Sequence, residues 1–130
     1  MHPGLIAAGL TNILGVLIFS RGFSNSLLNQ LFPALFGNWG LICIILWGLA
    51  YLSVARSYRH VPALLGVFAA EKAVYVVSWL AWLVHCGARL PQIWQQDVLT
   101  ALFYCLYGFL DLIFGVFFLN LMLKVLRSER

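Results

Sequence analysis

Four long apolar runs, separated by short polar or turn-rich stretches, set the limits on what this chain can become. They reach from about Gly4 to Ser20, Trp39 to Ala55, Val61 to Cys86 and Val98 to Lys124. A helix rises about 1.5 Å per residue, so a hydrocarbon core of roughly 30 Å is crossed by about 20 mostly apolar residues. The two later runs exceed that length, which implies tilt or protruding ends. Composition agrees: 63% of the 130 residues are hydrophobic and 9% charged, against the roughly half apolar and quarter charged mix of soluble domains. The expected fold is all-α, a four-transmembrane-helix bundle forming a single transmembrane domain over residues 1–130.

The connections refine that expectation. Between the first two runs, "SNSLLNQLFPALFGNW" repeats Leu27, Leu28, Leu31, Phe32, Leu35 and Phe36 at helical spacing, with Asn25, Ser26, Asn29 and Gln30 opposite. This predicts a short interfacial amphipathic helix over 25–36 in the first outer connection, either a plain boundary helix or a lid over a bundle opening. The other outer connection, "CGARLPQIWQQD", reads as a polar turn with Trp94 at headgroup level. Four spans put both termini on one side, together with Arg56, Arg59, Lys124, Arg127 and Arg130, while Arg21 and Arg89 fall opposite. The positive-inside tendency then places both termini in the cytoplasm. No Lys or Arg precedes Arg21, so the first run is expected to be a retained span rather than a cleaved signal.

The net charge of +4 does not indicate nucleic acid, because the basic residues are scattered as membrane-boundary anchors instead of gathered on one face. Cys43, Cys86 and Cys105 contain no CxxC pair, and their odd number leaves at least one free thiol; apolar neighbours suggest buried, inert cysteines. His2 and His60 belong near the cytoplasmic surface and His85 near the outer one, which suits neither a haem nor a metal site, so no metal or cofactor is expected. Nucleophile-elbow, HExxH, P-loop and dinucleotide motifs are absent.

Chemistry therefore concentrates in the polar residues inside the runs. Glu71 lies ten residues from Val61 and Asp111 thirteen from Lys124, each roughly 15 to 20 Å from the cytoplasmic end of its helix. Asn12, on the first run, is at a comparable level. A charge at that depth costs about 2.5 to 3.5 kcal/mol on insertion scales and normally faces a partner in the bundle interior. Helical spacing groups Glu71 with Tyr75, Ser78 and Trp82, and Asp111 with Tyr104, Gly108, Gly115 and Phe118. Gly4, Ala8, Asn12 and Gly15 form a small-residue stripe on the first run, and Trp47 and Tyr51 an aromatic pair on the second. The glycines beside Asp111 either admit another helix closely or leave a cavity at the carboxylate.

Lys72 points about 100° away from Glu71, so the two neighbours cannot pair well with each other. Lys72 either snorkels toward the cytoplasmic headgroups or takes Asp111, the depth-matched carboxylate. In the second case two acids face one ammonium in a medium of low dielectric, and Glu71 is the acid expected to hold a proton at neutral pH.

The run "WGLAYLSVARSYRHVPALLGVFAAEKAVYVVSWLAWL" followed by "YGFLDLIFGVFFLNLML" resembles small four-span bacterial integral membrane proteins of uncharacterised function. That resemblance implies a bacterial inner membrane and brings no reaction or ligand with it. The foremost functional expectation is a bundle whose interior, lined by Asn12, Trp47, Tyr51, Glu71, Lys72, Tyr75, Tyr104 and Asp111, binds a small lipophilic or amphipathic molecule, with transport of that molecule as the extended version. The alternatives are a non-catalytic accessory or scaffold subunit, and a lipid- or isoprenoid-modifying enzyme using the acid pair, for which no residue is demanded. Expected partners are membrane lipids, a small lipophilic ligand, and a second copy or another membrane protein.

Overall fold

The computed structural model describes residues 1–130 and is all-helical, with two compact units, Met1–Ser57 and Tyr58–Arg130. In the first unit, α1 (Pro3–Phe19) packs along α4 (Asn38–Ser53). Pro3 stands in the first turn, where a missing N–H costs nothing, and His2 Nδ1 caps it by accepting from the Gly4 N–H at 3.0 Å. The His2 N–H donates to the Ala55 carbonyl at 2.9 Å, tying the beginning of the unit to the end of α4.

The buried side of α1 is Leu5, Ala8, Gly9, Asn12 and Val16. Gly9 and Gly48 meet there backbone to backbone: a Cβ on either would lie 2.8 Å from the other's carbonyl oxygen. Close approach of this kind is what small residues supply between apolar helices. The expected stripe of Gly4, Ala8, Asn12 and Gly15 is thus corrected. Gly4 and Gly15 are half-buried, a Cβ on Gly15 would meet nothing within 4 Å, and Gly9 is the contact glycine.

After α1 three successive residues, Arg21, Gly22 and Phe23, adopt left-handed φ of 50°, 67° and 69°. Glycine takes this without strain, but Arg21 and Phe23 do not. The turn is held by its polar flanks. Ser20 Oγ accepts from the Phe23 N–H (3.0 Å), Ser24 Oγ donates to the Arg21 carbonyl (2.6 Å), and Asn25 Nδ2 donates to the Phe19 carbonyl (2.9 Å).

Where the amphipathic pattern predicts one helix over 25–36, the chain forms two, α2 (Ser26–Leu31) and α3 (Pro33–Phe36). Pro33 disfavours helical geometry in the residue before it, and Phe32 turns out to φ −149°, ψ 73°. The apolar face survives the break: Leu28 and Phe36 are buried, while Leu27, Leu31, Phe32 and Leu35 are half-buried. Asn29 Nδ2 braces the two pieces by donating to the Phe36 carbonyl at 2.6 Å.

The second unit opens with a 3₁₀ turn at Tyr58–His60, followed by α5 (Pro62–Cys86), a second 3₁₀ turn at Gly87–Arg89, α6 (Leu90–Gln96) and α7 (Val98–Ser128). The expected polar turn at 86–97 is therefore largely helical. Leu90, Ile93 and Trp94 fall at helical spacing, Pro91 sits in the first turn, and α6 packs on α7 with Ile93 buried. Asp97 then caps α7, accepting from the Leu99 N–H (3.3 Å) and the Thr100 hydroxyl (2.7 Å).

α5 and α7 run antiparallel along most of their length. Gly66 faces Met122, the Phe68 and Phe118 rings lie 5.4 Å apart, Lys72 faces Gly115, Trp79 covers Gly108, and Trp82 stacks on Tyr104 with centroids 4.5 Å apart. On α7 these contacts recur at 104, 108, 111, 115, 118 and 122, a 4–3 alternation that is the period of a left-handed helix pair. The outward faces differ. That of α7 is large, with Leu106, Phe109, Leu112, Ile113, Val116 and Leu119 exposed. That of α5 is made of alanines and valines with one leucine, Ala63, Val67, Ala70, Val74, Val77, Leu80, Ala81 and Val84 being exposed.

All three cysteines are free. Cys43 is exposed and Cys86 and Cys105 are half-buried, which corrects the expectation of three buried thiols.

Two glycines of α1 and α7 should therefore respond oppositely to substitution. Gly108→Val forces Trp79 out of its seat and should destabilise the protein by at least about 2 kcal/mol. Gly15→Ala, in open space, should be neutral or stabilising by up to about 1 kcal/mol. Unfolding in mixed detergent measures both.

Candidate functional site

The charged cluster of the second unit is built on the seam between α5 and α7. Lys72 is 2% exposed, and its Nζ donates to Asp111 Oδ1 at 2.9 Å. Asp111 is near the middle of α7 and Lys72 lies on the same level of α5, so the pair bridges the two helices well away from either end. Gly115, one turn beyond Asp111, explains how the stem reaches it. A Cβ at 115 would come within 3.1 Å of the Lys72 Cβ, so the absence of a side chain there makes room for the lysine.

Gly108, on the other side of Asp111, is covered by the Trp79 indole, whose Nε1 donates to the Tyr104 carbonyl at 2.8 Å. The glycines therefore do not leave a cavity at the carboxylate; they are filled by Trp79 and by the stem of Lys72. Beyond Trp79 an aromatic stack continues through Trp82, Tyr104, Phe103 and Tyr107, with Phe103 and Tyr107 at 5.3 Å. Ser78 Oγ donates to the Tyr75 carbonyl (2.7 Å), leaving its oxygen to accept from Tyr107 Oη at 3.2 Å.

Of the residues singled out in the sequence, the structure brings Lys72 and Asp111 into direct contact and places Tyr104, fully buried, in the same seam. Glu71 is buried at 9% exposure, one residue and about 100° around the helix from Lys72. Tyr75 is half-buried on α5. Asn12, Trp47 and Tyr51 belong to the first unit: Asn12 Nδ2 donates across α1 and α4 to the Ile44 carbonyl at 3.0 Å, Tyr51 is fully buried and Trp47 half-buried.

Trp79, Ser78 and Tyr107 were not among the expected site residues, yet they organise the seam. Trp79 was findable: it lies seven residues after Lys72 and so shares its face, whereas a wheel drawn from Glu71 passes it by. No three His, Cys, Asp or Glu side chains converge as a metal site would require. Compared with protein-family models, with curated proteins and with solved structures, the chain matches none.

What the arrangement offers chemically is one neutralised ion pair with a further buried acid beside it on the same helix. Removing one partner of such a pair strands a charge and costs about 3 to 5 kcal/mol. Lys72→Met and Asp111→Asn should each destabilise the protein on that scale in detergent unfolding, and Lys72→Arg should lose less, since it keeps the charge.

Proposed function

We propose that the chain is a four-span integral membrane protein of a bacterial inner membrane, with both termini cytoplasmic, that binds a small lipophilic or amphipathic molecule at the Glu71–Lys72–Asp111 cluster. The single observation that carries this is three ionisable groups, two buried and one largely so, midway along helices that are apolar outside. Intramembrane charges are expensive, and where they occur they commonly mark a binding or transfer site.

Support for the membrane setting comes from the outer surface. α5 and α7 are long and apolar enough to cross a bilayer, yet only 17% of the most apolar stretch of either is buried. A soluble protein buries such helices, and contiguous exposed apolar surface of this extent belongs against lipid. α1 and α4, with 17 and 16 residues, reach about 25 Å and need flanking residues or a locally thinner bilayer to span it.

Within the cluster, Lys72 neutralises Asp111, and Glu71 supplies a second carboxyl able to receive a cationic or hydrogen-bonding group of an otherwise apolar ligand. Tyr75 and Tyr104 are the aromatic neighbours that would lie against its body. The accessory-subunit alternative is favoured by one observation, the exposed alanines Ala63, Ala70 and Ala81 at helical spacing on α5, because small residues in membrane helices commonly admit another helix.

Native mass spectrometry of gently extracted protein separates the two. Binding predicts a co-purifying small molecule that is lost in Glu71→Gln, a change that leaves the Lys72–Asp111 pair intact. Unchanged occupancy in that variant, or a stoichiometric membrane protein in place of any small molecule, contradicts the binding reading.

A further inference from the structure

We propose that the outward face of α7 is a contact surface for a second copy of this chain, the two copies lying parallel and bonded to each other through Asn120. The proposal rests on the membrane setting above and is independent of the ligand. Leu106, Phe109, Ile113, Val116, Asn120 and Leu123 follow one another on α7 at alternating steps of three and four residues, and all six are exposed. That alternation is the period by which two helices pack in a left-handed pair. It is a second line, separate from the seam with α5: Asn120 stands nine residues beyond Asp111, which at 100° per residue puts it on the opposite side of the helix.

One amide interrupts this apolar line. The Asn120 side chain is exposed and hydrogen-bonds to no other group of the chain, whereas Asn12, Ser78 and Thr100 on the long helices all bond within it. Depth matters here, because water would satisfy an amide at the surface. α7 runs over 31 residues centred near Ile113, and Asn120 is seven residues further on, about 10 Å along the axis. The hydrocarbon half-thickness is about 15 Å, so Asn120 lies inside it, with Leu121, Met122 and Leu123 between it and Lys124. An amide facing lipid tails at that level has donors and an acceptor that only another protein group can satisfy.

A second copy meets that demand by symmetry. The asparagine amide both donates and accepts, so two of them satisfy each other, Nδ2 of one copy donating to Oδ1 of the other. Copies inserted in the same direction carry Asn120 at the same depth, and a two-fold axis along the membrane normal brings each position of the line against its own counterpart. The repeat names the position as well. With Leu106, Ile113 and Asn120 seven residues apart and Phe109, Val116 and Leu123 between them, Asn120 takes the place in the heptad where a single asparagine fixes register and pairing of parallel helices. The line ends beyond Lys124 at Arg127, in the headgroup layer, where water and salt screen like charges from one another.

The test uses the full chain in phosphatidylcholine vesicles, with association read by energy transfer between two fluorophore-labelled batches as protein is diluted into lipid. The expected result is a dimer whose dissociation constant rises on the order of tenfold in Asn120→Leu, the worth of an interhelical amide bond in lipid, and much less in Asn120→Gln, which keeps the amide. Circular dichroism confirms that the variants remain helical. In a background with Cys43, Cys86 and Cys105 replaced by serine, Ile113→Cys should cross-link between copies under mild oxidation, and Val74→Cys, on the outward face of α5, should not. A monomer at every dilution, or a dimer undiminished in Asn120→Leu, overturns the proposal. Cross-linking through Val74→Cys in place of Ile113→Cys also overturns it, by moving the contact to α5. Recovery of the protein in the soluble fraction refutes the membrane setting and the proposal with it, an outcome distinct from a membrane-embedded monomer.

Discussion

The Lys72–Asp111 ion pair is the interaction on which the second unit turns. In the membrane setting proposed above, two apolar helices gain little by hiding apolar surface from each other, since lipid tails are as apolar as they are. Specific pairing then has to come from close packing and polar bonds. A lysine and an aspartate midway along α5 and α7, joined at 2.9 Å, satisfy each other only when the helices are side by side and in one register. Every slide or rotation that separates them strands two largely buried charges, so the pair restricts alternatives as much as it stabilises the native arrangement.

The small and aromatic residues around the pair follow from it. Lys72 reaches Asp111 because Gly115 yields the space for its stem, and Trp79 closes the other flank because Gly108 lets the indole lie against the helix backbone. Phe68 against Phe118 and Trp82 against Tyr104 extend the seam in both directions. In α1 and α4 the corresponding device is simpler: Gly9 and Gly48 allow backbone contact, and the Asn12 amide bonds to the Ile44 carbonyl. Both pairs thus combine close approach with one polar crosslink, the means of association that the proposed membrane setting would require.

Much of this was legible in the residues. The face of α7 carrying Tyr104, Gly108, Asp111, Gly115 and Phe118 is visible as a 4–3 alternation, and all five positions meet α5. Pairing of Lys72 with Asp111 was one of two readings that matched depth and the poor angle between Lys72 and Glu71 allowed, the other being a lysine that snorkels toward the headgroups. The face of α5 was harder to read, because adjacent charges offer two wheels and the one drawn from Glu71 omits Trp79. The break at Phe32 was concealed by an apolar pattern that runs through it, although Pro33 signals it locally. Gly9 was hidden for a different reason: α1 is apolar on all sides, so periodicity alone does not say which glycine faces α4. The readings of ligand and topology rest on charge placement and lie a step beyond these contacts.

A double-mutant cycle on the seam tests the central role of the ion pair most directly. Lys72→Met, Asp111→Leu and the combination are compared by reversible unfolding in the same detergent mixture. The double variant is expected to be at least about 2 kcal/mol more stable than the sum of the two single losses would allow, because neutralising both partners leaves no buried charge stranded. Losses that simply add would show that Lys72 and Asp111 are not energetically coupled, and that the register of α5 and α7 is set by packing alone.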